Sequence, residues 1–477
     1  MNYGKIIHII GVLLQVEGGL MLLPVLVALI YGEDCWWAIL SVAAGAAVIG
    51  TILRQIKMKK AKFHAKEGFV ITALSWVVLS TVGCLPFVIS GEIPNFVDAL
   101  FETASGFTTT GASILTDIEA MSHGLLFWRS FTHWIGGMGV LVFILIVLPS
   151  NADDMYLMKA ESPGPSVEKM LPKVRQTAMV LYGIYLALTV LNIILLLAFG
   201  MPLFDSLCLS FGDAGTGGFG VKNDSIASYS PACQIIITIF MFLFGVNFKV
   251  YFLILFKKVK DVVKCEEVKW YVIIYAAAVV LVLIGILKDV GDFGTALRES
   301  AFQVSSVMTT TGYSTTDFNL WGSMPKFVMV FVMFVGACAG STGGGMKVSR
   351  WVLWFKQLKN ELSHFIHPRS VKKIRLEDKP VEQETLHQTN VYLMAYVLVF
   401  AVSMFIISFD GFDLESTFTA VTATQNNIGP GLGVVGPMGG YSGFSVLSKL
   451  VLIFDMIAGR LELFPMLILF APSTWKK

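Results

Sequence analysis

Long apolar runs alternate with short polar segments along the whole chain, and the runs have the length that crosses a bilayer. Two come first, at about residues 6–31 and 36–54, separated by the acidic turn Tyr31-Gly-Glu-Asp34. A four-part phrase then recurs four times. It consists of a long apolar run, a shorter segment opening near an acid (Asp98, Asp205, Asp292, Asp413), a glycine-bearing loop and a second apolar run. The predicted outer helices cover about 67–90, 176–199, 269–288 and 389–409. The predicted half-helices cover 95–108, a segment from Asp205, 293–308 and a segment from Asp413. The inner helices are expected at 125–149, at 231–256, from near Pro325, and at 445–470. The chain thus divides into two N-terminal helices (1–66) and four units, 67–150, 151–265, 266–386 and 387–477. The predicted class is an all-α integral membrane protein of about ten transmembrane helices, with four helix–re-entrant loop–helix repeats.

The loops themselves repeat. FETASGFTTTGASIL (Phe101–Leu115) returns as FQVSSVMTTTGYST (Phe302–Thr315), with Glu102, Ser105 and Thr108–Gly111 in register with Gln303, Ser306 and Thr309–Gly312. SFGDAGTGGFG, containing Gly218, is a weaker copy, and AVTATQNNIGPG, containing Gly429, is the loosest; the four glycines are 107, 94 and 117 residues apart. A re-entrant loop exposes carbonyls at membrane depth, which is tolerated only where it lines an aqueous path. Rings of such carbonyls can replace the hydration shell of K⁺, and glycine at the tight point allows backbone angles that a Cβ forbids. A single Thr-Thr-Thr-Gly run could be an ordinary turn. Four copies in matched apolar frames read as a pore.

Composition agrees: 55% of residues are hydrophobic, 14% are charged, and the mean hydropathy is +0.72, against about a quarter charged in soluble domains. A net charge of +2 points to no nucleic-acid partner, and six scattered cysteines without a CxxC pair suggest neither a metal site nor a disulfide framework. The N-terminal apolar run continues past Ile30 without a small-residue cleavage site, so a retained helix is expected. Basic loops mark the cytoplasmic side: Arg54–Lys66, Lys257–Lys264, Lys347–His387 and Lys476–Lys477. That places both termini in the cytoplasm. Gln15 and Glu17 in the first span are expected to pack against neighbouring helices, and Arg129 and His133 to sit at the outer interface. His364 and His367, spaced HxxH, read as a solvated surface feature. Gly431-Leu-Gly433-Val-Val-Gly436 matches a dinucleotide-loop pattern, but no strand precedes it.

Two intramembrane features carry candidate chemistry. The third inner helix runs into Gly336-Ala-Cys-Ala-Gly340-Ser-Thr-Gly343-Gly-Gly345-Met-Lys347, too rich in glycine for a regular helix. A gate beside the conduction path is favoured over a simple packing kink. Asp455, Arg460 and Glu462 lie in the last apolar run, where ionisable residues are functional candidates. Arg460 could pair with either acid or reach carbonyls of the glycine break, and interfacial snorkelling is the competing reading.

FTTTGAS (Phe107–Ser113), HWIGGMGV (His133–Val140), MTTTGYST (Met308–Thr315), GACAGSTGGGMKVSR (Gly336–Arg350), NNIGPGLG (Asn426–Gly433) and AGRLELF (Ala458–Phe464) together resemble the Trk/Ktr/HKT superfamily of K⁺ transporters, most nearly its bacterial TrkH type. The resemblance covers essentially the whole chain and implies that the four repeats surround a single pore in pseudo-fourfold fashion. It implies K⁺ uptake across the bacterial inner membrane through a filter of Thr109-Thr110-Gly111, Thr216-Gly217-Gly218, Thr310-Thr311-Gly312 and Asn427-Ile428-Gly429. It further implies an intramembrane gate (Gly340, Gly343, Gly344, Gly345, Lys347, with Arg460 below the pore), a homodimer, and control by a separate cytosolic ring of nucleotide-binding RCK (TrkA-like) subunits. The transported K⁺ is the only ion and no organic cofactor is expected on this chain. Asp98 and Asp205 are expected at the pore mouth, raising local cation concentration. The uneven second and fourth loops imply fewer well-defined ion sites than in a fourfold K⁺ channel. A proton- or Na⁺-coupled K⁺ symporter using Asp455 or Glu462, or a less selective K⁺/Na⁺ channel, remains as an alternative on the same scaffold. An inverted-repeat transporter is disfavoured because the repeats run in one direction. A membrane enzyme is disfavoured because no nucleophile is paired with a base.

Overall fold

The structure, a computed structural model, describes residues 1–56, 65–139, 174–369, 373–377 and 379–475. The predicted lysines 57–62, the first inner helix beyond residue 139, most of the link at 151–175 and the terminal lysines lie outside them.

The first apolar run forms helices Tyr3–Leu20 and Leu22–Tyr31, which together make one 29-residue span, and Trp36–Arg54 returns beside it. Glycine sets their approach. A Cβ on Gly11 or on Gly50 would lie within 3 Å of the other's carbonyl oxygen, the small-residue contact typical of membrane helices. Gln15 stitches the pair, donating to Thr51 (2.8 Å) and accepting from Arg54 (2.6 Å). Glu17 packs inward beside Leu13, Leu79, Phe107 and Ile135, with neither carboxylate oxygen hydrogen-bonded.

Each of the four following units has a long outer helix: Ala65–Gly83 with Leu85–Ser90, Val174–Ala198, Glu266–Val290 and Gln383–Ile407. Their outward residues are large and apolar; Leu191, Ile194, Ile284, Met394 and Leu398 are all exposed, as a lipid-facing surface requires. Each outer helix is followed by a short one: Phe96–Phe107, Leu203–Gly215, Phe293–Met308 and Leu414–Gln425. At 12 to 16 residues these rise only about 18–24 Å, too short to cross a hydrocarbon core of about 30 Å. Polar side chains start three of them, and Pro202 precedes the second. Asn95 caps the first through Val97 N (2.8 Å), Asp292 the third through Thr295 N (2.7 Å), and Asp413 the fourth through Ser416 N (3.4 Å). The bond from the Thr295 backbone also holds the exposed Asp292 carboxyl below the usual carboxylate range.

The inner helices depart most from expectation. His123–Gly137 starts where predicted. The second, predicted as continuous over 231–256, is two helices, Pro231–Phe244 and Phe248–Leu255, bent by 89°. Asn247 causes a restart, its side chain accepting from Lys249 N (2.9 Å) as an N-cap. Around the bend, Gly245 O and Phe248 N bond to Cys338 N (3.1 Å) and Gly340 O (3.0 Å) instead of to a continuing helix. The third inner helix, Ser323–Val335, ends at Gly336. The fourth, predicted as continuous over 445–470, is Val446–Arg460 and Phe464–Phe470. Glu462 and Leu463 take left-handed angles (φ 54° and 69°) between the pieces, and Pro465 in the first turn of the second piece cannot prolong the first. Glu462 therefore lies in a break, not in the predicted helix. The region predicted as a polar link also contains a helix, Val348–Ile366, and a two-residue antiparallel pair, Arg375–Leu376 with Lys379–Pro380. With these interruptions, and with the first inner helix described only as far as residue 139, six helices among the described residues are individually long and apolar enough to cross a bilayer, or seven with the bent pair. The protein is an all-α integral membrane protein.

Replacing Gly50 by leucine forces the two N-terminal spans apart. The expected loss is about 1–3 kcal/mol of stability, read as a lower thermal-unfolding temperature in detergent.

Candidate functional site

The four short helices end in one and the same way. In the first, Thr109 N donates to Gly106 O (3.1 Å) and Thr110 N to Ser105 O (2.9 Å). The same two bonds recur from Thr216 and Gly217 to Asp213 and Gly212, from Thr310 and Thr311 to Val307 and Ser306, and from Asn427 and Ile428 to Thr424 and Ala423. This is the Schellman termination, which needs one left-handed residue and usually takes glycine there. Here that residue is Thr109, Thr216, Thr310 or Asn427, at φ 55–60°. A β-branched residue in this region is strained, and strain of this kind collects at functional sites. Two residues on, Gly111, Gly218, Gly312 and Gly429 are again at positive φ, 77–94°.

The four ends close on one another. A Cβ on Gly111 would come within 3 Å of Gly217 O, one on Gly218 of Thr311 O, one on Gly312 of Ile428 O, and one on Gly429 of Thr110 O. Each glycine therefore faces the carbonyl of the next loop, in the cyclic order of the chain, and no side chain fits between them. All twelve candidate filter residues lie in this ring. Two of their hydroxyls are tied down: Thr110 meets Thr108 (2.8 Å) and Asn427 Nδ2 (3.0 Å), and Thr311 meets Thr309 (2.8 Å), whereas the buried Thr109 hydroxyl has no partner among the described residues.

Outside the ring, hydrogen bonds link neighbouring loops in the same order. Arg129 Nη1 donates to Gly220 O (3.0 Å), Ile226 N to Ser314 O (3.0 Å), Asn319 Nδ2 to Gly433 O (3.2 Å) and Tyr441 N to Ser113 O (2.9 Å). Arg129 also pairs with Glu102 (2.6 Å), which in turn accepts from Ser113 and Ile114 N, and its guanidinium lies 3.5 Å from the Phe219 ring centroid. His133 Nε2 accepts from Phe219 N (3.3 Å), which puts the ring proton on Nδ1, donated to Gly106 O (2.7 Å). Arg129 and His133 are thus buried behind the first two loops, not at the outer interface where the sequence suggested them. Glu102 was legible as one member of a repeated register, but the Arg129 that neutralises it comes from another helix. In the third unit Gln303 holds the Glu102 place uncharged, beside Thr315.

The glycine-rich stretch 336–347 runs directly against two ring ends. Gly344 N donates to Thr310 Oγ1 (2.6 Å) and Gly345 N to Asn426 O (3.0 Å). A Cβ at Gly343 would come within 3 Å of Thr309 O, and one at Gly344 within 3 Å of Asn426 O, so backbone lies on backbone. Lys347 Nζ donates to Gly343 O, closing the stretch on itself. Arg460 pairs with neither Asp455 nor Glu462 but reaches carbonyls: Thr342 O (2.7 Å) in this stretch, and Gly136 O (2.6 Å) and Gly137 O (2.7 Å) in the first inner helix. Glu462 instead pairs with Arg350, whose guanidinium also lies over Tyr392. Asp455 accepts from Ser403 (2.8 Å) and leaves its second oxygen unpartnered. At the opposite end of the ring's short helices, Asp98 pairs with Lys449 (2.6 Å) and Asp205 accepts from Tyr229 Oη (2.8 Å).

Comparison with known proteins gives one consistent answer. A family model described as Cation transport protein, TrkH, matches residues 40–477. The Trk system potassium uptake protein TrkH of Salmonella typhimurium is 38% identical, and its Escherichia coli counterpart 37%, each over 100% of both chains. The crystal structure of the potassium transporter TrkH from Vibrio parahaemolyticus superposes with a TM-score of 0.89 at 33% identity, covering 100% of both chains.

Arg129→Met leaves the Glu102 carboxylate buried without its cation, at an expected cost of about 3–5 kcal/mol. Thermal unfolding of the purified protein reads this. The Glu102→Gln/Arg129→Met double variant should recover part of the loss, since no buried charge is then left unpaired.

Proposed function

The chain belongs to the TrkH cation-transport family, and on that premise we propose that it takes up K⁺ across the bacterial inner membrane through the ring of Gly111, Gly218, Gly312 and Gly429. The observation that carries this reading is the closed cyclic approach of four glycines to four neighbouring carbonyls. Main-chain oxygens at that ring replace the water shell of a partly dehydrated ion. Each short helix adds the partial negative charge of its carboxyl end. Selection rests on carbonyls rather than hydroxyls, because two of the four middle positions, Gly217 and Ile428, carry none. At the mouth, Asp205 and Asp98 draw cations, Asp98 less strongly since Lys449 offsets it.

Residues 336–347 are the gate in this reading, with Gly340, Gly343, Gly344, Gly345 and Lys347 forming its backbone and Arg460 holding it. The support is their seating on Thr310 and Asn426 at the ring's edge. The termini face the cytoplasm, a second copy completes a homodimer, and a separate RCK-type (TrkA-like) nucleotide-binding ring acts on the gate. A second reading, proton- or Na⁺-coupled K⁺ symport, is favoured by the unpartnered oxygen of Asp455. Glu462 is less suited to that role, being engaged by Arg350.

Uptake of radioactive Rb⁺ into K⁺-loaded proteoliposomes tests the function. Competition by external K⁺ but not Na⁺, unaffected by a proton ionophore at fixed membrane potential, is the expected result; loss of uptake with the ionophore selects the symporter. Gly312→Ser should lower discrimination of Rb⁺ from Na⁺ by about tenfold, or ~1.4 kcal/mol, and unchanged discrimination would disprove the filter assignment. Deleting Gly343–Gly345 should raise basal flux by about tenfold through loss of the bonds to Thr310 and Asn426, with discrimination intact.

A further inference from the structure

Glu267 is an acid in the first turn of the third outer helix, only 5% exposed, and nothing in the ion path requires it. Its two oxygens serve three separate elements. Oε1 accepts from Ala339 N (2.6 Å), inside the glycine-rich stretch, and from Ser349 N (3.2 Å), in the first turn of helix Val348–Ile366. Oε2 accepts from Asn247 Nδ2 (3.3 Å), at the bend of the second inner helix. The stretch meets that bend directly as well, through Cys338 N to Gly245 O and Phe248 N to Gly340 O. A carboxylate is suited to this junction. Loop amides and a helix amino end both present N–H groups to an anion, and bonds to an ionised acceptor are about twice as strong as neutral ones. Asn247 is committed in a fixed orientation, because its Oδ1 is used to cap Lys249 N and only its Nδ2 is available to Glu267.

We propose that Glu267 is the positioning residue that latches the 336–347 stretch, at Ala339, and the helix that follows it, at Ser349, to the bend of the second inner helix, so that bend, stretch and helix move as one unit. The inference rests on the reading of that stretch as the gate. It has a mechanical consequence. A displacement of helix Val348–Ile366 already pulls on the stretch through the chain and through Val348 N to Ala337 O (3.1 Å); Glu267 passes it on to Asn247, so the 245–247 bend must move as well.

The test exchanges the two partners. Glu267→Gln keeps an acceptor for Ala339 and Ser349 but turns an amide donor toward Asn247 Nδ2. Asn247→Asp keeps the cap on Lys249 but sets a carboxylate against Glu267. Each single variant should raise basal Rb⁺ flux about tenfold, the weight of one charge-assisted hydrogen bond, with half-saturation and discrimination from Na⁺ unchanged. The E267Q/N247D double variant restores a donor–acceptor pair and should return flux to within about twofold of the parent, the residue reflecting a neutral rather than charged acceptor. Folded single variants with parental flux, or a double variant with no recovery, would overturn the proposal. If the singles fail to fold and the double folds with parental flux that does not respond to the gate deletion, the pair is a folding element only and the latch is likewise rejected. The Gly343–Gly345 deletion, measured in the same liposomes, separates the two levels: if it leaves flux unchanged, the gate reading itself fails; if it raises flux while the exchange variants do not, only the latch fails.

Discussion

Peptide groups cannot be left unpaired in hydrocarbon, yet a passage for a cation needs unpaired carbonyls. The protein meets both demands with one termination motif used four times. A Schellman end pairs the last free carbonyls of each short helix with the amides just beyond it and turns the chain sharply. The following carbonyl is left pointing at the next loop, and glycine there leaves no room for anything else. Everything outside the ring supports that geometry. The outer helices bury the short ones, and Glu102, Arg129 and His133 brace the first two loops. Inter-loop hydrogen bonds carry the order around the circle. The strain of threonine at three of the four left-handed positions is sustained only because these neighbours over-determine it; the fourth is Asn427, a residue that takes this conformation readily.

Much of this was legible in the chain. The period of the apolar runs marked the outer and short helices to within a few residues, because segments facing lipid on one side and protein on the other must be apolar for their full length. The triplets Thr108-Thr109-Thr110 and Thr309-Thr310-Thr311 announced the ring through their matching glycines, and all four triplets fell in the structural register. The fourth, Asn427-Ile428-Gly429, shares only its glycine with the first. It could be aligned only because its position within the repeat was already known.

What stayed hidden was pairing between distant segments. Hydropathy treats Pro231–Leu255 as one apolar run, since the bend at Gly245–Asn247 is made by bonds to Cys338 and Gly340, almost a hundred residues away in the chain. The break at Glu462–Leu463 is equally invisible to hydropathy, although Pro465 was a local hint. Helix Val348–Ile366 was masked by its charges. Arg129 read as an interfacial cation because its partner Glu102 lies on a different helix. Charge in a sequence shows that a partner is needed, not which residue supplies it.

The four repeats share one chain, and this frees them from being identical. A ring assembled from separate equal subunits must place every feature four times. A covalently joined ring can place a feature once. The stretch at 336–347 occurs in the third repeat alone and leans on the third and fourth quadrants, while Arg460 tethers it across to the first. As the gate proposed above, such a stretch would move as a single flap hinged on one side, rather than as an iris whose leaves retreat together. The ring above it can then stay still while the passage beneath changes width.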